Sequence, residues 1–337
     1  MKAAVVEKPG VLVIKEVETP KINNNQVLIK VQVSSICNAT DNHIFHGVFD
    51  GYHDFYPQIL GHEVSGEIVE AGSEVKNLKL GDIVVLYSST GAFCEYVAVD
   101  SNWPFMAKVP EKTPLKIRSL SEMLHGSYVS AVYPAQIKTH ESVLIVGQGP
   151  MGLTATATAR LTAGKVFTVD LNELRVKKSL EIGADFAYNR SGMSSDQIVE
   201  AVKKETGGEG VDVVVMCISE DRSSGLDAFD MAVDALKMGG RMTGLCVDAK
   251  EIKKNHRLDP HQFIRKEATF AHTLSDVCKT PEDIRRVFQE GVDLVAEGKI
   301  NFDAFVTHEV DFEGLPEALK LCVDNMNEVI KVVVYPR

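Results

Sequence analysis

The stretch SSICNATDNHIFHG, residues 34 to 47, gathers Cys37, Asp41, His43 and His46 within ten positions. A second stretch, LGHEVSGEIVEAGSEV, sets His62 and Glu63 directly after Gly61, with further glycines at 66 and 72. A free cysteine is by default a buried apolar residue. Thiolate, neutral imidazole and carboxylate together, however, are ligand types that suit zinc. Cys37 follows a strand-like run and His62 precedes one, so both side chains can project from the same end of a β structure.

A third stretch, VLIVGQGPMG, spaces Gly147, Gly149 and Gly152 as G-x-G-x-x-G between an apolar strand and a helix. In that context the first glycine permits a tight turn. The second lets the backbone approach a pyrophosphate, and the third lets helix and strand pack closely. Pro150 and Met151 then start the helix, whose N-terminus offers unpaired N–H groups to phosphates. Asp170 ends the next strand, KVFTVD, where a carboxylate can accept both hydroxyls of an adenosine ribose and repel a 2′-phosphate. The sequence that follows, DLNEL, carries no base, which favours NAD over NADP, and Arg175 is placed near the adenosine end. The alternative reading is a bare strand-to-helix turn with Asp170 as a helix cap.

These residues need elements to hold them. Residues 1 to about 110 form short Val- and Ile-rich runs split by Gly, Pro and Asn, which predict a β-barrel or sandwich. Residues 117–138 lose that rhythm and predict a helix ending near Pro134. Apolar strands then alternate with helices: SVLIVG, a small-residue helix, KVFTVD, a helix over NELRVKKSLEIGA, VDVVVMCI, a helix over 225–238 and RMTGLCV. Strands apolar on both faces predict a parallel doubly wound sheet, with EATFAHTL closing it. The tail predicts helices over 281–297 and 315–325 and a final strand, VIKVVVY. The fold class is therefore α/β: a β-rich domain over 1–137, a nucleotide-binding domain over 138–274, and a tail, 275–337, that completes the first.

The 337 residues carry 36 Lys and Arg against 47 Asp and Glu, a net charge of −11. That balance disfavours nucleic acid backbones and anionic membrane surfaces. No apolar run approaches the roughly 20 residues of a membrane helix, and the first residues lack a signal-peptide pattern. Six well-separated cysteines with no C-x-x-C pair argue against a disulfide framework and for a reducing cytoplasm.

The pattern Gly-His-Glu-x-x-Gly-x5-Gly-x-x-Val is intact from Gly61 to Val75. With QVLIKV, SIC, VGQGPMG, Asp170, EIGAD, GGRM and THEV, it covers nearly the whole chain. On these residues the chain resembles the medium-chain zinc-dependent alcohol and polyol dehydrogenases of the sorbitol and threonine dehydrogenase type. The resemblance implies a GroES-like catalytic domain around a Rossmann domain, zinc in the cleft and hydride transfer to NAD(P). It implies Cys37 and His62 as zinc ligands, completed or supported by Glu63 and Glu122. Thr40 is the nearest match for the hydroxyl that relays the substrate proton, His43 for an outer relay base or a surface histidine.

Three departures from the family stand out. The spacing from Cys37 to Asp41 is one residue longer than usual. The four-cysteine lobe after GDIVV is absent, leaving only Cys94, so one catalytic zinc and no structural zinc is expected. This short lobe is similar to that of the 2-deoxy-scyllo-inosamine dehydrogenases. EMLHGSY replaces Glu-Pro-Leu and brings in His125, which either packs on the helix or reshapes substrate choice.

The expected reaction is NAD-dependent oxidation of a secondary alcohol, a sugar alcohol, cyclitol or aminocyclitol, to a ketone. The expected assembly is a homodimer or homotetramer. The rivals are a zinc-free quinone or enone reductase and a non-catalytic NAD-binding protein on the same fold. Among weaker candidates, His46, Tyr52 and His53 lie on a loop that could wall the substrate site. Cys217, Cys246, Cys278 and Cys322 read as core, and KEIKKNH as a solvated edge.

Overall fold

The computed structural model describes residues 1–47, 56–89, 91–218, 225–244, 260–270, 278–325 and 327–337. Tyr52, His53, Cys246, the run KEIKKNH and the second half of EATFAHTL lie outside the described residues. The chain divides into two compact units, Met1–His125 with Pro281–Arg337, and Gly126–Thr280.

In the first unit the central strand, Gln26–Ser35, pairs antiparallel with Glu63–Ala71, Tyr96–Asp100 and the C-terminal strand Lys331–Tyr335. Ile83–Tyr87 and Met106–Lys108 extend the sheet on one side, and Val306–Asp311 on the other. A smaller sheet joins Lys2–Lys8 to Val11–Glu16 and Gln58–Ile59. Strand geometry sends alternate side chains to opposite faces, and the first strand uses both. Ala3 and Val5 enter one core with Val27, Ile29 and Leu86, while Ala4 and Val6 enter a second with Leu60, Phe93 and Val332. The tail is built into this unit. Ser35 stands opposite both Glu63 and Val333, so the two neighbouring strands meet at the end of the central one. On the far edge, the amide of Gln289, on the helix Pro281–Ala296, accepts from the N–H of Lys108 and donates to its carbonyl, both at 2.8 Å. A side chain here does the work of a neighbouring strand.

The second unit is a parallel sheet in the order Phe186–Asn189, Lys165–Asp170, Ser142–Val146, Val211–Met216, Leu236–Gly244, Thr269–Phe270. This is the doubly wound order with the first strand at the centre. Ser142–Val146 is buried throughout: Leu144 and Val146 face one core, Val143 and Ile145 the other. Thr269–Phe270 forms the edge, as the start of EATFAHTL predicts. Among the described residues no helix is long and apolar enough to cross a membrane.

The helix expected over 117–138 is broken. Leu115–Arg118 is α-helical, Ser119–Glu122 a 3₁₀ turn, His125–Val132 a π-helix and Tyr133–Ala135 α-helical again. Pro134 lies in the first turn of that last segment and has no N–H for the Ser130 carbonyl four residues earlier, so the α-helical ladder is interrupted there. π-turns recur at functional sites, and this one starts at His125.

Candidate functional site

The Cys37 thiol lies just beyond the central strand, and His62 and Glu63 lie at the start of the strand beside it. Gly61 makes that entry possible. Its φ of +91° suits glycine, and a Cβ there would lie 2.9 Å from the Phe93 ring. The result brings one donor atom each from Cys37, His62 and Glu63 within 4.8 Å of one another. Among the described residues no other group of three or more Cys, His, Asp or Glu donors converges in this way.

Each donor is held by neighbours. Asp41 is fully buried; one of its oxygens accepts from the Cys37 backbone N–H at 2.8 Å, and the other lies 3.3 Å from His62 Nδ1. That leaves His62 Nε2 as the ring atom for a cation. Burial alone would depress the His62 pKa, but the charges of Asp41 and Cys37 outweigh it and hold the imidazole well above its usual value. Glu63 accepts from the Ser35 hydroxyl and from Lys331 Nζ, which is 2.5 Å from both its oxygens and also donates to the Ile36 carbonyl. Burial pushes the Glu63 carboxyl up, against the opposing charge of Lys331. Lys331 is pushed down by burial but raised more strongly by Glu63 and Cys37, so it stays charged.

Glu122 is buried but lies outside the converging set. Its Oε1 is 3.1 Å from His125 Nδ1, and the hydrogen bond and charge of His125 keep Glu122 below its usual pKa despite burial. The His125 ring packs on Phe105 at 4.3 Å and Tyr87 at 5.6 Å; Tyr87 in turn packs on His62 at 5.1 Å. Thr40 and His43 sit three residues apart on the short helix Thr40–Phe45, hence on one face, both half-buried. His46 is exposed. The thiols of Cys94 and Cys322 are pushed up to about 12 by burial, and Cys278 is buried as well; Cys217 is half-buried.

Lys331, the residue that neutralises Glu63, was not among the candidates. Its signal was there: one lysine within the apolar strand VIKVVVY.

In the second unit, Gly147 has φ +89°, and a Cβ on Gly152 would meet the Gly147 carbonyl. At Gly149 the corresponding space is open, with Arg175 Nη1 the nearest atom at 3.9 Å. That is the room a phosphate needs at the N-terminus of the helix Pro150–Ala159. The Asp170 carboxylate accepts from the backbone N–H groups of Gln148 at 2.5 Å and Asn172 at 2.8 Å, so the acid and the glycine turn are locked together. The Gln148 side chain is fully buried. Its amide donates to the Gly147 carbonyl at 3.0 Å and accepts from the Thr156 hydroxyl at 2.8 Å. Arg175 is itself buried, on the helix Glu173–Glu181.

Two family models match the chain. The alcohol dehydrogenase GroES-like domain covers residues 23–111, and the zinc-binding dehydrogenase domain covers residues 150–297. Sorbitol dehydrogenase of Bacillus subtilis is 26% identical, over 100% of this chain and 97% of its own length. L-threonine 3-dehydrogenase of Thermococcus kodakarensis is 28% identical, over 100% of this chain and 98% of its own. Among solved structures, alcohol dehydrogenase TADH from Thermus sp. ATN1 superposes with a TM-score of 0.83 at 22% identity, covering 100% of both chains.

Proposed function

We propose a specific reaction for this chain on the premise that it belongs to the medium-chain zinc-dependent alcohol and polyol dehydrogenase family: NAD-linked oxidation of a secondary alcohol flanked by further polar groups, giving a ketone. Membership sets aside the zinc-free reductase and the non-catalytic alternative. The observation that carries the reading is the convergence of Cys37, His62 and Glu63. Thiolate, imidazole and carboxylate fit zinc by type.

Cys37, His62 and Glu63 would hold the ion, with Glu122 beside them. When bound, zinc supplies Lewis acidity that lowers the pKa of the substrate hydroxyl. The chain's own groups do the rest. Asp41 fixes the His62 ring. The Thr40 hydroxyl takes the alcohol proton and passes it to His43, one turn further along the helix. Gly147, Gly149, Pro150, Met151 and Gly152 cradle the pyrophosphate of the dinucleotide, and Arg175 lies beside it. Asp170 accepts the ribose hydroxyls and repels a 2′-phosphate, so NAD is preferred over NADP.

One zinc per subunit is proposed, because the segment after GDIVV offers only Cys94, a buried thiol. The sorbitol and threonine dehydrogenase relatives support a substrate whose secondary hydroxyl has a polar neighbour: a sugar alcohol, cyclitol or aminocyclitol. Cys37, Cys94 and Cys322 carry free thiols, which supports a reducing cytoplasm. A homodimer or homotetramer is the expected assembly.

The test couples a metal assay to NADH formation across a panel of polyols. The expected result is about one zinc per chain, turnover with NAD well above that with NADP, and loss of both metal and turnover in Cys37→Ser with NAD binding retained. Full turnover in the Cys37→Ser protein after chelation would sink the reading.

A further inference from the structure

We infer that His125 is a positioning residue that draws Glu122 aside from the metal, so that Cys37, His62 and Glu63 ligate and the fourth position stays open for the substrate hydroxyl. The inference rests on the metal reading above and specifies how that site is kept from closing.

Four acidic or basic side chains, His62, Glu63, Glu122 and Lys331, are all buried, and the 3₁₀ turn Ser119–Glu122 packs on the strand Glu63–Ala71. A buried carboxylate this close to a divalent cation has every electrostatic reason to bind it. Yet its oxygens lie outside the set in which Cys37, His62 and Glu63 donors converge. What holds it elsewhere is the 3.1 Å contact from Oε1 to His125 Nδ1.

That contact can persist only if the imidazole is itself immobile, and the packing makes it so. The ring lies against Phe105 at 4.3 Å and Tyr87 at 5.6 Å. Phe105 is braced by Trp103 at 5.5 Å, and the Trp103 indole N–H donates to the Tyr87 carbonyl at 2.9 Å. Tyr87 also packs on His62. One aromatic scaffold thus fixes both the ligand histidine and the histidine that holds the competing carboxylate. The consequence is chemical: a site filled by four protein ligands is a closed, structural one, whereas three ligands and an open position make a catalytic one.

Cobalt(II) in place of zinc tests this without reference to turnover, because its visible d–d bands follow coordination number and its thiolate band follows Cys37. In the wild-type background Glu122→Gln is expected to leave the d–d bands unchanged. His125→Ala is expected to shift them as the Glu122 carboxylate takes the fourth position, and His125→Gln, which keeps a donor for Glu122, to restore them. The double variant His125→Ala/Glu122→Gln is expected to match wild type. Unchanged bands in cobalt-loaded His125→Ala, loss of cobalt from that variant, or shifted bands in Glu122→Gln alone would each overturn the inference. If His125→Ala fails to fold, Glu122→Gln and His125→Gln still decide it. Cys37→Ser separates the two failures: a thiolate band that survives there overturns the metal assignment itself, not the role of His125.

Discussion

Lys331 Nζ stands 2.5 Å from both carboxylate oxygens of Glu63, with the two side chains only 1% and 3% exposed. The pair joins residues 268 positions apart in sequence. Removing one member leaves the other charge buried and unpaired, which costs about 3–5 kcal/mol. Lys331→Met is therefore expected to lower unfolding stability by that amount in urea titrations. The double variant Lys331→Met/Glu63→Gln is expected to recover much of it, while losing metal.

The proposed proton relay gives a second expectation. Thr40→Val removes the hydroxyl and keeps the shape, so kcat should fall by about 10²–10⁴-fold. NAD affinity and metal content should be unchanged. His43→Ala should lower kcat less and alter its pH profile, read from steady-state rates across pH.

The nucleotide-binding unit carries its own acid sensitivity. Glu141 is held below its usual pKa, chiefly by its hydrogen bonds to Arg241, and Asp212 by Lys237 and Ser142 against the effect of burial. A carboxylate with a depressed folded-state pKa stabilises above its unfolded pKa, roughly 4. That contribution is lost as pH falls through the folded value. Thermal melts of this unit should hold steady at neutral pH and fall progressively below about pH 4–5. Glu141→Gln should flatten that fall while lowering stability at neutral pH.

Trp103 is the single tryptophan of the chain. It is linked to His62 through Phe105 and Tyr87 by successive ring contacts of 5.5, 6.5 and 5.1 Å. Zinc uptake should therefore change its emission saturably. Trp103→Phe should abolish the signal and leave metal stoichiometry intact.

Gln148 offers a test of the glycine turn. Gln148→Leu removes the amide that donates to the Gly147 carbonyl and accepts from Thr156, whose hydroxyl still donates to the Gly152 carbonyl at 2.9 Å, a loss of about 1 kcal/mol. NAD binding measured by calorimetry should weaken, with the metal site unaffected.

What the sequence made legible follows physical scale. Local patterns were readable: the Gly147 turn, the two-sided burial of Ser142–Val146 and the signature glycines each leave a mark within a few residues. Long-range partners were not. Lys331 is simply a lysine in an apolar strand until the fold sets it beside Glu63. The break at 119–132 was missed because the apolar rhythm reports helical burial, not whether the turn is 3₁₀, α or π. Glu122 was legible through the family resemblance as a ligand or a support of the site; its tie to His125 depends on a ring orientation that Phe105 and Tyr87 impose.

The catalytic unit is written in two pieces, with the whole of Gly126–Thr280 between them. During synthesis at about 5–20 residues per second, Glu63 emerges roughly 13–54 s before Lys331. Through that interval the Glu63 carboxylate lacks its Lys331 counterweight, and the Lys108 edge lacks its Gln289 cover. The nascent chain thus has reason to finish its nucleotide-binding half before the half that began first, and a ribosome stalled short of residue 281 would carry an uncapped sheet and a Glu63 carboxylate without its lysine.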